Sequence, residues 1–261
     1  MKKGYADIRE GQMHYRCAGN GTKNIILLHM SGSSSDEYET AGNILAEHGY
    51  HVYAPDLLGF GSSDEPPCYY RMSGHEQTIL QFMDALNIES AYFYGNLATA
   101  NLCIHIGIDY PERVKGLMLA NPTGDKDPQK YAAKKQLPEY KTIIPQKDGS
   151  HLAELWKRSY KYGEAPDVCD ARCRCLHAAG KWGESLHWAL FDDTPLSELL
   201  SRLKITPIII AYEAFGKTAY LESLAQQTAC HYVFDVYQNG TPYIARSHPE
   251  EVAAMITKYF G

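Results

Sequence analysis

Short apolar runs alternate with amphipathic helical stretches along most of this chain, and that alternation constrains the fold more than any other feature. Asn24–His29 reads NIILLH, with no polar face, so it is expected as a central strand of a sheet covered on both sides. A Gly/Ser loop follows, then a helical pattern over Asp36–His48 with Ser35 or Asp36 placed to cap it. His51–Pro55, Ala91–Gly95, Val114–Ala120, Thr206–Ala211 and His231–Tyr237 read as further strands. Met72–Leu86, Leu97–Asp109, Leu196–Leu203, Tyr220–Thr228 and Pro249–Tyr259 read as helices, the last with Pro249 in its first turn. Tyr5–Arg9 and Met13–Ala18 flank Glu10-Gly11 as an antiparallel hairpin. The sum is an α/β fold: a mostly parallel central sheet with helices on both faces. Ligands of such sheets bind beyond the carboxyl ends of the strands. The loops that matter therefore follow His29, Gly95, Ala120, Ala211 and Tyr237.

The alternation breaks over residues 124–195, which carry no strong strand signal. Amphipathic patches around His151–Tyr160 and Cys175–Leu190, with all the tryptophans, suggest a helical insertion. The expected organisation is a core from 1–123 and 196–261, interrupted by a helical cap over 124–195.

Composition removes several function classes. With 261 residues, 44% of them hydrophobic, the chain can bury a sizeable core and is not disordered. A net charge of −6 without a basic block leaves no footprint for nucleic acid. No apolar run approaches the roughly 18 residues that span a bilayer. Met1-Lys2-Lys3 is followed by Gly4–Asp7 rather than by the apolar stretch of a secretion signal. The seven cysteines cannot all pair within one chain. The expectation is a soluble, cytoplasmic protein with reduced thiols and no nucleic-acid or membrane partner. Its oligomeric state is not legible.

The loops at the carboxyl ends resemble those of the α/β-hydrolase family. Leu28-His29-Met30-Ser31-Gly32-Ser33 is similar to the family's oxyanion loop. The stretch from Tyr53 to Asp64, with Asp56, Gly59, Gly61 and Ser63, resembles its D-x-x-G-x-G-x-S segment. Tyr110-Pro111-Glu112-Arg113-Val114 resembles the join between the elbow helix and the next strand. The order and spacing of these stretches run along nearly the whole chain, and helical caps at the position of 124–195 are common in the family.

The resemblance implies a nucleophile on a sharp strand-to-helix turn, G-x-S-x-G, where small residues let the turn close. Here the turn reads Gly95-Asn96-Leu97-Ala98-Thr99. Leu97 occupies the nucleophile position and has neither a lone pair to donate nor a proton to lose. The family's acid would fall at Ala214, after the strand ending near Ala211. Its histidine would fall at Thr241, where Pro249-Glu250 follows at the family's spacing. Three substituted positions leave no relay of nucleophile, base and orienting acid. The backbone N–H groups of Met30 and Ala98 are expected to remain as oxyanion donors.

Other candidates are weaker. Ser31 and Ser33 lie in the oxyanion loop, where local turn bonds are the ordinary role of serine. Family likeness gives the His29 ring a bracing role. Asn96 adjoins the elbow. Asp125 stands where some family members keep an alternative acid, but its usual histidine partner is missing. His248 directly precedes Pro249 and is expected to cap the last helix rather than act as a displaced base. Cys103, six residues past Leu97, should be a buried inert thiol. Cys169, Cys173, Cys175 and His177 could hold zinc or pair oxidatively, yet their spacing matches no common zinc site, and no metal or cofactor is expected.

The reading that follows is a pseudo-hydrolase binding a small apolar or aromatic molecule between core and cap. Met30, Ser31, Asn96, Leu97, Ala98, Tyr212, Thr241 and Tyr243 are its expected lining. Two alternatives stay open: an enzyme acting without the triad by hydrolysis, isomerisation or elimination, and an interaction protein with a vestigial pocket. The chain carries 20 tyrosines against 7 phenylalanines. Tyr212 and Tyr243 beside the lost acid and base, and Tyr131, Tyr160 and Tyr162 in the cap, are expected to ring the pocket with phenols.

Overall fold

A computed structural model describes residues 1–124, 144–160, 163–190, 194–238 and 240–261. Its centre is an eight-stranded sheet ordered β1-β2-β4-β3-β5-β6-β7-β8. The strands are β1 (Lys2–Ile8), β2 (Gly11–Ala18), β3 (Lys23–Leu28), β4 (Tyr50–Pro55), β5 (Ala91–Asn96), β6 (Val114–Ala120), β7 (Pro207–Tyr212) and β8 (Val233–Tyr237). The hairpin β1–β2 pairs antiparallel, β2 pairs antiparallel with β4, and every pairing from β4 to β8 is parallel. The helices of the core are α1 (Glu39–Glu47), α2 (Met72–Ala85), α3 (Ala98–Asp109), α7 (Leu196–Arg202), α8 (Thr218–Ala225), the short α9 (Ile244–Ser247) and α10 (Pro249–Phe260). Between β6 and β7 lie α4 (Ser150–Ser159), α5 (Pro166–Ala179) and α6 (Ser185–Leu190), with no strand among the described residues.

The apolar strands are uniform because both faces of the sheet are covered, and the period of two splits each strand between two cores. Ile26 and Leu28, Phe93, Leu117 and Leu119, Ile209 and Ala211 belong to one core with α2 and α3. Ile25 and Leu27, Tyr94, Met118, Ile208, Ile210 and Tyr212 belong to the other, with α1 and α10.

The sequence elements form close to their expected places, with one rearrangement on each side of the site. The stretch expected as a helix from Asp36 begins as a 3-10 turn over Ser35–Tyr38, and α1 starts only at Glu39, without a side-chain cap. The Cys175–Leu190 patch is not one helix. α5 starts earlier, on Pro166 in its first turn, and ends where Gly180 takes φ 51° before a 3-10 turn leads to α6. Among the described residues, no helix is long and apolar enough to cross a membrane.

Candidate functional site

The site begins at the junction of β5 and α3. One residue, Leu97, turns the chain between them, with φ 58° and ψ −118°. Only glycine enters that region without strain, so the turn is held from both sides. The Leu97 N–H donates to the Ala120 carbonyl at 2.8 Å, and its carbonyl accepts the Ala100 N–H at 3.0 Å. The Asn96 N–H donates to Thr99 Oγ1 at 2.9 Å. Gly95 is required by close approach: a Cβ there would stand 2.4 Å from the Thr99 carbonyl oxygen. The elbow thus forms around a hydrocarbon side chain, and Leu97 packs on Met30, Val168 and Tyr243.

The chain after β8 returns to the elbow. Asn96 Nδ2 donates to the Pro242 carbonyl at 2.9 Å, and the Tyr243 N–H donates to Thr241 Oγ1 at 3.2 Å. Leu97 and Thr241 are thereby brought to one place, and each keeps some exposed surface. Ala214 lies in the 3-10 turn Glu213–Phe215 directly after β7, with its side chain exposed. Facing Thr241 is Glu164, from the segment before α5. The Thr241 hydroxyl donates to its carboxylate, and Glu164 is only 8% exposed.

On the opposite side is the loop after β3. His29 Nε2 accepts the Leu57 N–H at 3.0 Å, which leaves the ring proton on Nδ1 to donate to the Met30 carbonyl at 2.9 Å. Both nitrogens are engaged in bracing the loop, and His29 has no free lone pair to act as a base. Ser31 Oγ donates to the Gly183 carbonyl at 3.0 Å, tying the loop to the insertion. The Met30 N–H does not serve as an open oxyanion donor: it donates to Glu37 Oε1 at 3.2 Å. Burial pushes the Glu37 carboxyl up, against the charge of Arg246. Ala98 opens α3, where an N–H has no partner within its helix, and it forms no other bond among the described residues.

Behind this loop, Asp56 fixes the shape of the chain after β4. It accepts the Ser35 N–H at 2.5 Å, the Ser62 N–H at 2.9 Å and a bond from His14 Nδ1 at 2.8 Å. Burial drives its carboxyl upward, but the bonds from His14, Ser35 and Ser62 win and hold it down to about 2. Gly61 is needed here, because a Cβ would stand 2.0 Å from Asp56 Oδ2.

Several expected site residues lie elsewhere. Tyr212 is fully buried in the core on the α1 and α10 side, its hydroxyl 3.1 Å from that of Tyr94 and donating to Asn96 Oδ1 at 3.4 Å. Its parity on β7 matches Ile208 and Ile210, so it packs against the sheet rather than lining the site. Asn96 is fully buried, and its amide is consumed by Pro242 and Tyr212, which makes it a clamp under the elbow. Tyr160 is 49% exposed on the outside of the insertion. Among the described phenols, only Tyr243 is in the cluster on which Leu97 packs. Asp125, Tyr131 and Tyr162 lie outside the described residues. His248 occupies the N-cap of α10, its carbonyl accepting the Glu251 N–H at 3.1 Å, but its side chain makes no cap bond and its Nδ1 lies 3.0 Å from Ser247 Oγ. Cys103 is fully buried, and burial pushes its thiol up. The thiols of the insertion diverge, Cys169 toward the Glu164 carbonyl, Cys173 toward Ser159 and Cys175 toward Ser34 and Asp36. Among the described residues, no group of three His, Cys, Asp or Glu side chains is placed to hold a metal ion.

Glu164, Glu37 and Val168 were not legible as site residues. Glu164-Ala165-Pro166 carries the proline signal of a helix start, but nothing in the sequence separates Glu164 from a solvated acid.

Residues 23–161 match the model of a family described as the alpha/beta hydrolase fold. The chain is similar to a 2-hydroxy-6-oxononadienedioate/2-hydroxy-6-oxononatrienedioate hydrolase of Paraburkholderia phymatum, 31% identical over 44% of this chain and 43% of that protein. It is also similar to a haloalkane dehalogenase of Mycolicibacterium paratuberculosis, 30% identical over 53% of this chain and 48% of that protein. These alignments span less than half the length of the relatives. The whole fold superposes on the enol-lactonase of Burkholderia xenovorans with a TM-score of 0.79 at 18% identity, covering 98% of this chain and 99% of that one.

Proposed function

The chain belongs to the alpha/beta hydrolase fold family, and from that premise we propose that it binds a small apolar or aromatic molecule without serine-hydrolase chemistry. In this reading residues 1–123 and 196–261 are the core, and 124–195 are a cap over the carboxyl ends of the strands. The observation that carries the reading is Leu97: the strained elbow is fully formed, and it presents a hydrocarbon side chain where covalent chemistry would need a nucleophile. The engagement of the Met30 N–H by Glu37 supports it, because one oxyanion donor is already spent. Met30, Val168 and Tyr243 give the ligand an apolar floor beside Leu97. The diacid named for the Paraburkholderia phymatum relative fits poorly beside the buried Glu164 carboxylate.

The test is direct. The unaltered protein should show no labelling by a fluorophosphonate probe and no turnover of ester, lactone and thioester panels. Labelling would overturn the reading. Native mass spectrometry of the purified protein should reveal a retained small molecule. The triple variant Leu97→Ser, Ala214→Asp, Thr241→His should gain probe labelling if these positions correspond to the family's triad.

A second reading, an enzyme working without the triad, draws on Glu164, whose carboxylate reaches the Thr241 position from the insertion. Turnover that survives in the unaltered protein and disappears in Glu164→Gln would favour it.

A further inference from the structure

We infer that Glu164 selects the ligand, and that the molecule held over the elbow carries a hydrogen-bond donor, an amine or hydroxyl group, rather than a carboxylate. This deepens the binding reading and rests on it.

The inference comes from following the side chains and main-chain donors nearest the elbow to their partners. The Thr241 hydroxyl is used twice, donating its proton to Glu164 and accepting the Tyr243 N–H. The Asn96 amide is consumed by Pro242 and Tyr212. The Met30 N–H is held by Glu37, and the Ser31 proton by the Gly183 carbonyl. The His29 ring is spent on Leu57 and Met30. A carboxylate offers about four lone-pair sites, and Thr241 takes one. Glu164 therefore keeps unspent capacity beside the elbow, and it is capacity to accept. Among the described residues the Ala98 N–H, at the start of α3, is one unspent donor, and it suits a neutral carbonyl or ether oxygen.

Position makes this capacity selective. Glu164 stands just before α5, and Val168 in the first turn of that helix packs on Leu97. The same short segment thus supplies an apolar wall and a carboxylate. The burial of Glu164 raises the electrostatic weight of a donor and of a like charge alike. An ammonium group is attracted and satisfies the carboxylate; a carboxylate ligand is repelled and leaves Glu164 unsatisfied. An apolar body against the cluster of Met30, Leu97, Val168 and Tyr243 completes the class: an aryl or alkyl amine or alcohol.

Phenylpropylamine and phenylpropanoate share one apolar body and differ at the head group. Titrated calorimetrically into the full chain, the amine should bind at least about tenfold more tightly than the acid. Glu164→Gln keeps the side-chain shape and an oxygen for Thr241, and should bring the ratio close to one. Thr241→Val retains the carboxylate and should preserve the preference. Equal binding of acid and amine by the unaltered protein, or a preference that persists in Glu164→Gln, overturns the assignment while leaving the binding reading intact. Absence of binding by either compound counts against the binding reading itself, and the inference falls with it.

Discussion

The loop after β4 and the elbow after β5 reach equally sharp shapes by opposite means. The first is a saturated polar network, with Asp56 collecting the Ser35 and Ser62 N–H groups and the His14 ring, and Gly61 letting the backbone close around it. The second is an apolar side chain on a strained backbone, Leu97 at φ 58°. Buried charge makes a loop rigid but intolerant, because each bond lost leaves an unsatisfied partner. Strain held by main-chain bonds to β6 and α3 leaves the side chain free to change. The shape of the elbow therefore does not depend on the identity of its side chain, while the Asp56 loop cannot lose its carboxylate without losing its form.

The contrast is sharpest in stability. Asp56→Ala should cost about 3–5 kcal/mol in urea denaturation, the range for breaking a buried pair by removing one partner. A cost near zero would show that the loop does not depend on its network. The same carboxylate gives the pH dependence. Its folded value, about 2, is depressed from the ordinary 3.8, so it contributes stability that is fully present above that ordinary value. That contribution, of the order of 2 kcal/mol, should be lost as pH falls from about 4 toward 2. Denaturation midpoints of the unaltered protein and Asp56→Asn across that window should converge. Thr241→Val removes the donor to Glu164 and the acceptor of the Tyr243 N–H, and should cost about 1–3 kcal/mol. Leu97→Gly should have the smallest effect, within about 1 kcal/mol: relief of the strained backbone offsets lost packing and added chain entropy. A loss as large as that of Asp56→Ala would erase the distinction between the two regions.

The fold was largely legible, because uniformly apolar strands, glycine-rich loops and helical stripes are local signals. The elbow too was legible, since Gly95 and Ala98 mark a turn that only small residues allow. Parity along a strand was also present in the sequence, and it would have placed Tyr212 with Ile208 and Ile210 instead of in the site. Tyr160 shows the same limit from the other direction: its position in the insertion suggested a pocket ring, and the helix turned it outward.

What the sequence determined by itself is the scaffold and the absence of ionisable side chains at Leu97, Ala214 and Thr241. Residue type alone decides whether a lone pair or a proton exists at a position. What only the tertiary structure decided is which charged groups stand beside Thr241 and Met30. Glu164 and Thr241 are 77 positions apart, and Glu37 meets the Met30 N–H only because the 3-10 turn over Ser35–Tyr38 folds the chain back beneath the loop. A solvated acid and a buried one have the same letter. The difference is made by long-range packing, which removes water and supplies a single partner in its place.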